Sequence, residues 1–277
     1  MSFVPQGLSF DLMHSVSTYR PCPLCESTQC VPLRAYSPDP WQVVTCDECS
    51  MTYLRNPVVY EALEQDFAWE KTYAAKAEAS KGSTFASKFV RKLRTNLGVI
   101  HRDKQAHFRR WFSDGHVLDI GCGAGARILP PMTPFGIELS TALHAQADDI
   151  MRSRGGYCLK GAGAETIWEF DEAQFDGIVM FSYLEHETNV MGVLNGVYRA
   201  LKNTGAVFVR VPNFNSLNRK IIGPKWCGFR YPDHVNYFSL RTLRKAAADA
   251  GFTTKLVNSF SLPVDDNISV LLRKVAA

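Results

Sequence analysis

No apolar run in the 277-residue sequence reaches the ~18 residues that a helix needs to cross a bilayer. The first residues show no basic start, continuous apolar core and small-residue cleavage site, so no secretory signal is read there. Internal repeats and low-complexity tracts are missing too, which sets aside solenoid and compositionally disordered architectures. Nor is charge of one sign in excess. Lys and Arg number 31 against 27 Asp and Glu, and the resulting +4 is too small to call for nucleic acid or a membrane by itself. What remains is an ordinary globular composition, 46% hydrophobic and 21% charged, long enough for one large α/β domain plus a small module. A cytoplasmic, reducing setting is the expectation, with no membrane partner.

Cysteine usage fits that setting. Four of the eight cysteines form two C-x-x-C knuckles, Cys22/Cys25 and Cys46/Cys49, while Cys30, Cys122, Cys158 and Cys227 are scattered. Two knuckles at this separation fit a zinc ribbon, each bringing two thiolates to one side of a tight turn. Val31–Ala35 and Trp41–Thr45 read as the ribbon's short strands. Four thiolates close the coordination sphere, so the expected role of the metal is structural. A module this small buries too little surface to fold unaided, and metal binding supplies the difference.

The chain is organised around Val117-Leu118-Asp119-Ile120-Gly121-Cys122-Gly123-Ala124-Gly125. Its apolar residues read as the end of a buried parallel strand, and its glycines let the backbone turn tightly against a ligand. Gly121, Gly123 and Ala126 also satisfy the loose dinucleotide pattern G-x-G-x-x-[GA]. Asp119 argues against that reading, because a carboxylate is badly placed beside a pyrophosphate but well placed for a ligand carrying ammonium and sulfonium groups.

With these marks the sequence resembles the class I S-adenosylmethionine-dependent methyltransferases from about Val117 to the C-terminus. D-I-G-C-G-A-G matches the family's first motif. Gly136-Ile137-Glu138-Leu139-Ser140 resembles its second strand with the ribose-binding acid, Phe175-Asp176-Gly177-Ile178-Val179-Met180 its fourth strand, and Ala200–Val209 its turn into the fifth. The resemblance implies an α/β, Rossmann-like seven-stranded sheet carrying an N-terminal zinc ribbon and a helical cap. The implied boundaries are 18–57 for the ribbon, 58–113 for the cap and 114–277 for the catalytic domain, with a lid insertion at 213–238. It also implies S-adenosylmethionine as cofactor, held by Asp119, Gly121, Cys122, Gly123, Gly125, Glu138, Leu139, Ala164 and Phe181. The acid that the family places near adenine is missing, since Ala162 and Gly163 stand there.

Helical spacing of apolar residues predicts helices before the first strand (Tyr60, Leu63 and Phe67; Phe85, Phe89, Leu93 and Leu97), and 190–201 and 240–250 read as helices packed on the sheet, the last capped by Ser239. Pro130, Pro131 and Pro134 leave room for only a brief helix after Gly125.

Methyl transfer is an in-line displacement in which the protein aligns acceptor and methyl, excludes water, and in some cases removes a proton. His186 and His234 are the candidate bases. Tyr183, Trp226, Arg230, Tyr231 and Tyr237 are the candidate acceptor contacts, with Trp226, Tyr231 and Tyr237 in the insertion read as part of an apolar lid. Quinone-pathway O-methyltransferases, which Glu185-His186 also resembles, carry an acid three residues earlier; here that residue is Ser182, and metal-assisted transfer is not expected. Phe181-Ser182-Tyr183-Leu184 stands where base N-methyltransferases carry Asn/Asp-Pro-Pro-Tyr/Phe. The expected acceptor is a hydroxyl on a small metabolite, sugar or biosynthetic intermediate. One rival is an RNA methyltransferase that grips nucleic acid through the ribbon and the basic residues at 88–110; another is a non-catalytic binding protein that keeps the fold.

Overall fold

The computed structural model describes residues 19–58, 108, 110–112 and 114–275. Most of the helical cap expected over 58–113, and most of the basic segment with it, lies outside the described residues.

Strands β4 (His116–Ile120), β5 (Thr133–Glu138), β6 (Cys158–Lys160), β7 (Phe175–Phe181) and β8 (Leu201–Pro212) run parallel. They join β10 (Phe252–Leu256) and β11 (Asn267–Lys274) in one sheet ordered β10-β11-β8-β7-β4-β5-β6. β11 alone runs opposite to the other six strands, antiparallel to both β10 and β8. The glycine-bearing strand β4 is central and its Val117, Leu118 and Ile120 are wholly buried, as a parallel strand covered on both faces requires. The second strand begins at Thr133, earlier than the sequence pattern suggests, and ends at Glu138. Turns rather than a brief helix fill the stretch between Gly121 and Thr133, where Pro130 and Pro131 can donate no helical hydrogen bond.

Among the described residues the sheet is accompanied by helices α1 (Thr141–Arg152), α2 (Gly163–Thr166), α3 (Val190–Ala200), α4 (Leu217–Ile222) and α5 (Leu240–Asp249) and by short 3-10 turns. The α3 face Val190, Val193, Leu194 and Val197 is buried, each side chain contributing roughly 1.5–3 kcal/mol by leaving water. Ser140 and Ser239 cap α1 and α5 by accepting from Leu143 N–H and Thr242 N–H. Among the described residues no helix is long and apolar enough to cross a membrane.

The N-terminal ribbon is a small antiparallel sheet of β1 (Cys30–Pro32), β2 (Val43–Cys46) and β3 (Thr52–Leu54). Its fourth strand comes from the other end of the chain. β9 (Asn236–Tyr237), inside the insertion after β8, pairs with β3 through Thr52↔Tyr237 and Tyr53↔Asn236. Half-buried Arg20 fastens the junction: Nη2 donates to Val235 O (2.6 Å) and Asn236 Oδ1 (3.0 Å), Nε to Leu54 O (2.9 Å) and Nη1 to Thr188 O (3.2 Å). A common core of Trp41, Val43, Leu54, Val58, Trp226, Val235 and Tyr237 fills the space between ribbon and insertion.

Candidate active site and four-cysteine cluster

A cavity of about 860 Å³ opens along the carboxyl ends of the parallel strands. The sheet order arranges its wall: Gly161 beyond β6, Glu138 on β5, Gly121 to Ala124 beyond β4, and Phe181 at the end of β7 with Ser182, Tyr183, Glu185 and His186 after it. The insertion adds Cys227, Gly228, Arg230 and His234, and Pro212, Asp266 and Asn267 close the far side.

Gly121, Gly123 and Gly125 all adopt positive φ (+70, +58 and +77), which a side chain would strain. Gly123 turns its N–H onto Glu138 Oε2 (2.8 Å), while Glu138 Oε1 accepts from Ser140 N–H (3.0 Å). The acid is thereby fixed at the mouth of β5 beside the glycine turn. Cys122 and Leu139 line the same wall. Gly125 serves packing instead, since a Cβ there would come within 2.8 Å of Ala147 Cα on α1. Ala164 is buried in α2 behind the wall, and Gly161 and Gly163 take the lining position. Replacing Glu138 with Ala is expected to weaken adenosyl-ligand binding by about 10-fold or more, as loss of a charged hydrogen-bond acceptor does; calorimetric titration would show it, and unchanged affinity would displace the acid from the site.

Asp119 departs from the sequence expectation. Its carboxylate is wholly buried and both oxygens accept from Arg127 Nη1 at 2.5 Å, so the group is covered rather than presented to the cavity. Burial lifts this carboxyl to about 6 even with the guanidinium pulling the other way. Arg127 itself lines the cavity, its guanidinium 5.0 Å over the Phe181 ring. Sequence reasoning missed it; a single arginine in a loop carries no pattern.

The two candidate histidines come together from distant parts of the chain. Their rings meet edge to face with centroids 4.7 Å apart. His186 Nδ1 lies 2.8 Å from Asp233 O and His234 Nδ1 2.8 Å from Gly228 O, so each Nδ1–H donates to a carbonyl and Nε2 becomes the basic nitrogen. Beside them Glu185 is buried to 1% exposure, and its Oε2 has no hydrogen-bond partner. Burial pushes this carboxyl up to about 8 despite the nearby cations Arg210 and Arg230. Ligand atoms of Glu185, His186 and His234 lie within 4.8 Å of one another, a set equally suited to acid–base work and to holding a divalent cation. The structure thus assembles a donor set that the local sequence around Ser182 does not reveal.

Of the expected acceptor contacts, Tyr183 and Arg230 line the cavity. Tyr183 lies against Gly121 and Gly163 and donates to Glu187 Oε2 (2.5 Å). Trp226, Tyr231 and Tyr237 do not line it. They pack into the ribbon–insertion core, with Trp226 Nε1 donating to Asp266 Oδ1 (2.9 Å), the Tyr237 hydroxyl to His234 O (2.9 Å) and the Tyr231 hydroxyl to Tyr36 O. Their aromatic surface is spent on holding the insertion in place, and Tyr237 positions the backbone of His234.

In the ribbon, Cys22 Sγ and Cys49 Sγ are 3.4 Å apart, and Cys25 Sγ and Cys46 Sγ 3.5 Å. A zinc tetrahedron with Zn–S bonds of ~2.3 Å has S···S edges of about 3.8 Å. The cluster is consistent with a zinc site, and no fifth donor is needed.

A family model described as a methyltransferase domain matches residues 90–256. A crystal structure of an S-adenosylmethionine-dependent methyltransferase from Clostridium acetobutylicum is similar with a TM-score of 0.51 at 12% identity, covering 70% of this chain and 100% of that one. The YcgJ protein of Bacillus subtilis gives 0.49 at 16% identity (64% and 100% covered), and a methyltransferase of Archaeoglobus fulgidus 0.48 at 16% (69% and 100%). No curated protein matches the sequence.

Proposed function

The chain belongs to the class I S-adenosylmethionine-dependent methyltransferases, and on that premise we propose that it methylates an oxygen of a small-molecule acceptor, with His234 as general base and His186 beside it. The observation carrying this reading is the continuity of the cavity from Glu138, at the ribose end, to the His186/His234 pair. When bound, the cofactor supplies a methyl group on sulfonium. Glu138 and the glycine turn hold the adenosyl part, Tyr183 and Phe181 wall the passage from it, and His234 takes the acceptor's hydroxyl proton on Nε2. The insertion covers the acceptor end and excludes water, which strengthens each polar contact inside. Zinc in the four-cysteine cluster braces the ribbon, and through β9 the insertion. The ribbon has few basic residues of its own, so the RNA reading draws no support from the described residues.

His234→Ala tests the proposal. General-base catalysis is worth about 10²- to 10⁴-fold, so turnover should fall by that order while S-adenosylhomocysteine affinity stays within a few-fold. Near-normal rates would reduce His234 to a structural residue. Turnover by the zinc-loaded protein that depends on an added divalent cation would assign the Glu185–His186–His234 cluster to that cation instead.

A further inference from the structure

The geometry points to Arg127 as the receiver of the cofactor's carboxylate, with Asp119 and Phe181 as the residues that aim it; this rests on reading the cavity as the S-adenosylmethionine site. Strand order decides which part of the ligand lies where. Along the carboxyl edge run β6, β5, β4 and β7. Glu138 on β5 fixes the ribose, and the adenine lies toward Gly161 and Gly163 beyond β6. The amino-acid tail must therefore extend the other way, across the glycine turn of β4 toward Phe181 at the end of β7. Arg127 stands there, in the cavity wall and over the Phe181 ring.

Its hydrogen bonding leaves a donor edge to spare. Arg127 uses Nη1 alone for both Asp119 oxygens, and among the described residues Nε and Nη2 make no hydrogen bond. A guanidinium presents those donors in a planar fork that matches a carboxylate. The ion pair on Nη1 and the aromatic face beneath hold the fork in one orientation, so little side-chain entropy is lost on binding. The direct alternative, an Asp119 carboxylate receiving the ligand's ammonium, fails on geometry. That carboxylate is wholly buried, both its oxygens are engaged, and it takes no part in lining the cavity. Asp119 acts through Arg127 and is a positioning residue.

Two ligands that differ only in the carboxylate make the test: S-adenosylhomocysteine and its decarboxylated counterpart, which keeps the amine. Titration calorimetry on the wild-type, zinc-loaded protein should give binding about 10- to 100-fold weaker for the decarboxylated ligand, the size expected for a charge-assisted pair. Arg127→Met should bring the two affinities within about two-fold of each other, chiefly by weakening S-adenosylhomocysteine. Arg127→Lys keeps a cation beside Asp119 but loses the planar fork, and should fall between. Glu138→Ala should weaken both ligands alike and leave their ratio intact. Equal binding of the two ligands to the wild type overturns the inference, whether or not the Arg127 variants fold, as does a ratio that survives Arg127→Met. Absence of binding for both ligands would overturn the cofactor reading of the cavity, and the inference with it.

Discussion

If the four-cysteine cluster holds zinc as proposed, removing the metal, or replacing Cys22 with Ser, is expected to cut turnover by about 100-fold or more while S-adenosylhomocysteine affinity falls less than about 10-fold. The asymmetry follows from where the ribbon is fastened. Binding of zinc to thiolates contributes on the order of 10 kcal/mol to the folding of small modules, so a ribbon without metal should lose its sheet. With it go the β3–β9 pairing, the four hydrogen bonds of Arg20, and the aromatic core that seats Trp226 and Tyr237. His234 lies two residues before β9, with its carbonyl tied to the Tyr237 hydroxyl, so the proposed base loses its anchor. Glu138 and the glycine turn are held by hydrogen bonds within the central sheet, Gly123 N–H and Ser140 N–H onto Glu138, and meet the ribbon through the apolar core that Met51 and Tyr53 share with Leu118 and Ile120. Metal content, turnover and affinity measured on one preparation decide the matter. Full activity without metal would refute the bracing role, and equal loss of affinity and turnover would show that the ribbon supports the whole domain rather than the acceptor end.

The second large effect concerns Glu185 and pH. Its folded-state carboxyl titrates at about 8 against an ordinary 4.5, because burial outweighs the attraction of Arg210 and Arg230. The groups facing it are those two arginines, the Ser182 hydroxyl, and His186 and His234 in the same cluster. For an acid whose pKa is raised on folding, the native state binds more protons than the unfolded chain between the two values. Stability is therefore fullest below about pH 4.5, declines as pH rises toward 8, and levels off above it. The cost at the alkaline end is on the order of a few kcal/mol. Glu185→Gln keeps the shape and removes the titration. Its melting temperature should exceed that of the wild type by roughly 5 °C or more at pH 8.5, and by little at pH 5. Melting curves across that range, with zinc in place and no other divalent cation added, check this. Parallel curves for the two proteins would mean that the carboxyl ionises at its ordinary value and is solvated in the cavity.

Much of the catalytic sheet was legible in the sequence because its signals are local. A buried apolar run before D-I-G-C-G-A-G, an acid at the end of the next strand, and the 3.6-residue spacing of Val190, Val193, Leu194 and Val197 each need only their neighbours to be read. The cysteine knuckles are legible for the same reason. What escaped depends on contacts between distant segments. Asp119 reads as a ligand until Arg127 is seen to cover it. Trp226, Tyr231 and Tyr237 read as a lid, since aromatic residues in an irregular stretch carry no period that says which way they face. Their partners, Trp41, Leu54 and Tyr36, lie far off in sequence, Tyr36 being 195 residues from Tyr231. Ser182 reads as a gap in a metal cage, while the third member of the observed cluster, His234, arrives from the insertion. The Glu185 carboxyl could not be singled out either, because its altered acidity comes from burial rather than from any neighbour in sequence.

The shared sheet of ribbon and insertion also bears on how this chain could be recombined with its relatives. The unit that shapes the acceptor end is discontinuous, made from residues 19–58 and 213–238 joined at Thr52↔Tyr237 and Tyr53↔Asn236. A chimera that exchanges only the insertion would carry a β9 edge and a Trp226 seat cut for someone else's ribbon, and one that exchanges only the N-terminus would meet the same mismatch from the other side. On the proposed reading, acceptor preference would travel as a pair of segments that have to be transplanted together.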